Sequence, residues 1–135
     1  MGAWGTGIFE DDAAADFAGE VARAKDSSLL YDAFSQATQA SDTLEYDAGA
    51  HALAAAEIVA AMGGHPANLL PPAAATWVAN HRHEFSQALC SQAIESVKRV
   101  TESSELAELW AESDEGELWK ANVADLQGRL KTLSG

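Results

Sequence analysis

The stretch from residue 48 to residue 62 is built of Ala, Leu, Ile, Val and Met, interrupted by Gly49, His51 and Glu57. A helix made from it has no wide polar face, and a helix apolar on most sides belongs at the centre of a packed domain. Gly63-Gly64 supplies a left-handed stop. Upstream, Asp42 followed by Glu45 resembles a capping box and predicts that this helix, the third, opens there. The run does not read as a bilayer span. The longest stretch without Asp, Glu, Lys or Arg, residues 58–81, carries Gly63, Gly64, Pro66, Pro71 and Pro72, which interrupt any single helix.

A central helix needs others around it, and the composition supplies them. Of the 64 hydrophobic residues 29 are Ala, whereas Val, Ile and Thr together number 15. Ala is the best helix former and β-branched residues favour strands, so the chain is expected to be all-α. At 135 residues it fits one domain, 1–135, a compact bundle of six or seven helices. Residues 1–10 are set apart: Gly2, Trp4, Gly5, Gly7, Ile8 and Phe9 suit an irregular Gly/Trp-rich arm whose rings pack on the helical surface.

The remaining helices follow from caps and apolar spacing. Asp11 or Asp12 caps a first helix to about Lys25, with Phe17, Ala18, Val21 and Ala22 on one stripe. Ser27 or Ser28 opens a second helix through about Gln39. Pro72 or Ala73 starts a short one bearing Trp77. Another runs from about Ser86 to Thr101, and Ser103 or Ser104 caps a short helix with Leu106, Leu109 and Trp110. Asp114 with Glu117 repeats the capping-box pattern and opens a last helix presenting Leu118, Trp119, Val123, Leu126 and Leu130.

The opening Met1-Gly2-Ala3-Trp4-Gly5-Thr6-Gly7-Ile8-Phe9-Glu10-Asp11-Asp12, with Ala15-Asp16-Phe17, resembles the start of the domain of unknown function 4259 family. The likeness continues through the Tyr46 region, the Ala55-to-Ala61 segment, Ser104-Glu105-Leu106, Leu109-Trp110 and Trp119. The His81-to-Glu84 linker lies outside it. The resemblance implies a small, mainly bacterial, all-helical cytoplasmic protein, and brings with it no activity, cofactor or catalytic residue.

Charge constrains partners. Twenty-one acids against eight bases give −13, which argues against nucleic acid or anionic lipid as a ligand, because phosphate binding needs clustered Lys and Arg. One Cys makes no internal disulfide, and Cys90, mid-helix beside apolar neighbours, reads as a small core residue. No Gly-x-Ser-x-Gly elbow, His-Glu-x-x-His motif or calcium loop is present. Met1-Gly2 with Thr6 formally matches a myristoylation signal, but without a basic patch these glycines read as structural.

Candidate binding or structural positions are Trp4, Glu10, Asp12, Asp47, His51, Glu57, Glu105, Glu108 and Trp110. Glu10, Asp11, Asp12 and Asp16 suit the positive end of the first helix dipole. Asp47 and His51, at i and i+4, predict a buried hydrogen bond. Glu57, alone among apolar residues, needs a buried donor, for which the Trp4 indole or the arm's amides are the expectation. Residues 102–117 carry seven acids and no base around Leu106, Leu109 and Trp110, whose helical spacing predicts inward packing. These features point to a non-enzymatic intracellular protein that binds a basic partner, antitoxin-like or immunity-like, with no cofactor. The alternative is a divalent-metal-binding protein or metal-dependent hydrolase using acids and His of the arm and third helix. A third reading has exposed Trp110 or Trp77 packing on a second copy to form a homo-oligomer.

Overall fold

The computed structural model describes residues 5–68 and 70–134, and among them seven α-helices form one packed body. They are α1 (Asp12–Ala22), α2 (Ser28–Gln39), α3 (Tyr46–Met62), α4 (Pro72–His81), α5 (Gln87–Glu102), α6 (Glu105–Ala111) and α7 (Gly116–Leu133), with a 3-10 turn over Arg82–Glu84. No strand occurs among the described residues, and none of their helices is long and apolar enough to cross a membrane.

The Ala-rich α3 is the hub. It touches α1, α2, α4, α5, α6 and α7, and from Ala52 to Met62 every side chain is buried. Ala at most of these positions lets neighbouring helices approach closely, while Leu53, Ile58 and Val59 fill the spaces between them. Gly64, at φ 99°, takes the left-handed turn after the helix, and its N–H reaches the Ala61 carbonyl at 2.9 Å.

Several local signals act as read. Asp11 caps α1 by accepting the Ala14 N–H (3.1 Å), Ser86 caps α5 through Leu89 (3.0 Å), and Ser104 caps α6 through Ala107 (3.0 Å). Others are overridden by tertiary contacts. Helix α1 stops at Ala22 and not at Lys25, and the carbonyls that follow are taken up by α4: Trp77 Nε1 donates to the Ala24 carbonyl (3.0 Å), and a His81 ring nitrogen meets that of Lys25 (3.1 Å).

Neither capping box forms. Leu44 is drawn into an isolated parallel bridge with Ser104, its N–H donating to the Ser103 carbonyl (3.0 Å) and its own carbonyl accepting from Glu105 (2.8 Å). That pairing keeps Glu45 extended, so α3 begins at Tyr46, whose N–H donates to the Glu105 carboxylate (3.1 Å). In α7 the N-cap is Glu115, and Gly116 packs against the Trp110 carbonyl.

Candidate functional site

Residues 5–10 run as bends and turns with Ile8 and Phe9 buried; Trp4 lies outside the described residues. The glycines here make room for a carboxylate. Gly7 N–H donates to Glu10 Oε1 (3.1 Å) while Glu10 N–H donates to the Gly7 carbonyl (3.0 Å), and a Cβ on Gly5 or Gly7 would overlap the Glu10 side chain. Asn122 of α7 ties the same segment down, its Nδ2 donating to the Thr6 carbonyl (2.8 Å). Asp11 accepts from the Tyr46 hydroxyl, and burial together with Asp11 pushes that phenol above its ordinary range. Asp12 is exposed.

Asp47 is also exposed and makes no hydrogen bond to His51, which stacks on Phe17 with ring centroids 5.1 Å apart. The expected Asp47–His51 bond is therefore replaced by a ring contact: α1 lies across α3 at this level and offers His51 an apolar face. Glu57 is 3% exposed; the Trp4 indole expected as its donor lies outside the described residues, and the donor seen among them is a side chain that was not expected. Arg129 of α7 holds Glu57 through its two terminal guanidinium nitrogens, at 2.7 and 2.9 Å, and also donates from Nε to Asp125 (2.8 Å) and from Nη1 to the His65 carbonyl (3.1 Å). Glu57 and Asp125 in turn push the Arg129 guanidinium upward, keeping it charged. Arg129 is the residue that reading along the chain missed. Its signal was present, as a cation at i+4 from Asp125 close to the apolar stripe of the last helix. Among the described residues no three of His, Cys, Asp and Glu gather closely enough to hold a metal ion.

The acidic run of residues 102–117 separates into two faces, with Leu109 as the exception. Leu106 and Trp110 are buried, with Trp110 stacked on Trp119 (centroids 6.1 Å apart), while Glu102, Glu105, Glu108, Glu112 and Glu117 are exposed. Leu109 and Leu118 depart from the inward pattern and are 41% and 59% exposed. Because Trp77 and Trp110 are both buried, self-association through exposed copies of these rings is overturned. Beside the acidic face lies an open groove of about 440 Å³ between the end of α5, α6 and the first half of α7. Ala107, Ala111, Trp119 and Val123 contribute its apolar lining, Glu102 and Glu108 its negative charge, and Lys120 a single cation. Three elements converge here because Ser104 caps α6 directly after α5 ends and the Trp110–Trp119 stack holds α7 against α6.

Residues 2–122, the His81-to-Glu84 linker included and not outside the likeness, match the family described as Domain of unknown function (DUF4259), so the chain belongs to that family. No curated protein and no solved structure matches it.

Proposed function

For a member of that family, we propose a non-enzymatic role in the cytoplasm of a bacterium, binding a basic protein through the exposed acidic face of α6 and its flanks. The carrying observation is the separation of residues 102–117 into buried anchors and exposed acids. Leu106 and Trp110 secure the element to the core; of the acids outside, Glu105 caps Tyr46 and Glu117 pairs with Lys120 at 3.8 Å, while all of them remain open to solvent. An acidic face of this kind accelerates encounter with a basic partner and masks a cationic active site, as antitoxin and immunity proteins require.

The test is capture from native lysate by the wild-type chain and by the triple variant Glu108→Lys, Glu112→Lys, Glu117→Lys. These side chains are exposed, so the variant is expected to fold, with a melting temperature modestly lowered because Glu108 and Glu117 lie in first helical turns, and its fold is checked by circular dichroism before capture. A basic protein identified by mass spectrometry, released by modest salt and lost from the variant, supports the reading. A partner retained equally by the variant, or one that is acidic, overturns it.

A further inference from the structure

We infer that the groove between α5, α6 and α7 receives an arginine side chain from the basic partner, with an adjacent apolar side chain seated on the groove's Ala and Trp lining. This rests on the protein-binding reading above and makes it specific to one place. The end of α5 is the feature that singles out this groove from the rest of an acidic surface. Thr101, Glu102, Ser103 and Ser104 form one of its walls, so the negative end of the α5 dipole opens into it.

The last carbonyls of α5 are unevenly satisfied. Ser103 N–H serves Arg99 (2.9 Å) and Ser104 Oγ serves Val100 (2.6 Å), whereas the Thr101 and Glu102 carbonyls meet no donor among the described residues. Acceptors at the helix end, the Glu102 and Glu108 carboxylates and the indole of Trp119 together describe a receptor for a donor-rich, planar cation. Guanidinium matches it better than ammonium, because its planar fork of five N–H groups spreads over several acceptors, while the edge of Trp119, whose face is stacked on Trp110, only closes the floor of the groove. The volume, about 440 Å³, suits one or two side chains rather than a whole helix. Lys120 opposes a cation at the rim, but Glu117 draws its ammonium aside at 3.8 Å.

The test is a titration of the isotope-labelled protein, followed by amide and indole resonances, with the peptide acetyl-Leu-Arg-Leu-Arg-Leu-amide and its glutamine and lysine counterparts. The arginine peptide is expected to shift the amides of Thr101, Glu102, Ser103 and Ser104 and the Trp119 indole. Its Kd is expected to weaken at least tenfold in the Glu102→Gln, Glu108→Gln variant and to tighten in Lys120→Gln. A lysine peptide that binds as tightly overturns the arginine assignment. Shifts confined to Glu105, Glu112 and the acidic helix starts overturn the groove while leaving the acidic-face reading standing. No shift with any peptide also overturns the groove, and the capture experiment then decides the broader reading by itself.

Discussion

Glu57 and Arg129 divide their burial unequally, and the division predicts an asymmetric response to mutation. The Glu57 side chain is 4% exposed and that of Arg129 17%, so removing the guanidinium strands a carboxylate inside α3. Arg129→Ala is expected to cost about 3–5 kcal/mol, the usual range for an uncompensated buried charge. Glu57→Ala leaves Arg129 with Asp125, the His65 carbonyl and a route to water, and is expected to cost less, about 1.5–3 kcal/mol for its charge-assisted bonds. Urea unfolding of both variants checks the order, and equal losses would contradict it. Cys90 and Tyr46 set the alkaline limit. Burial raises the Cys90 thiol, and burial with Asp11 raises the Tyr46 phenol. Above the unfolded values, about 8.5 for Cys and 10 for Tyr, the native state holds protons that the unfolded chain has released, so stability falls as pH rises. Denaturant midpoints between pH 7 and 10.5 are expected to decline in two stages, the second flattened in Tyr46→Phe.

Among the elements, α7 carries a matched pair of glycines with opposite expectations. A Cβ on Gly116 would overlap the Trp110 carbonyl, which is backbone and cannot swing away, whereas a Cβ on Gly128 meets nothing within 4 Å. Gly116→Ala is expected to destabilise and to disturb the Trp110–Trp119 stack. Gly128→Ala is expected to stabilise by about 0.5–1 kcal/mol, the ordinary helix-propensity gain. Thermal melts of the two single variants read both signs. The same contrast explains which parts of the fold were legible along the chain. Asp11, Ser86 and Ser104 act on amides three residues away, so the local pattern contains the whole interaction. The start of α3 depends on Leu44 meeting Ser104, and the fate of Glu57 on a cation 72 residues away, so neither is contained in any window of sequence. The candidate site divides likewise. Exposure of Glu105 and Glu108 followed from helical spacing, while the groove beside them exists through the convergence of three elements.

The whole molecule carries its charge of −13 unevenly. Residues 1–65 hold 11 acids and 2 bases, net −9, and residues 66–135 hold 10 and 6, net −4. Self-repulsion of this size weakens the compact state and is screened by salt. The melting temperature is therefore expected to rise between about 10 mM and 200 mM sodium chloride, where the Debye length shrinks from about 30 Å to below 10 Å. A flat or falling profile would show that local ion pairs such as Glu57–Arg129 outweigh the overall repulsion. The position of α3 carries a further consequence, for biosynthesis. The chain emerges N-terminus first, and α3 is made before α5, α6 and α7, three of the helices that cover it. During translation α1 and α2 are already available to cover one side of it, while the sides that face α5, α6 and α7 must wait. A nascent chain arrested before residue 87 is therefore expected to expose the apolar sides of α3 that α5, α6 and α7 cover, and to bind chaperones more than the full-length chain does.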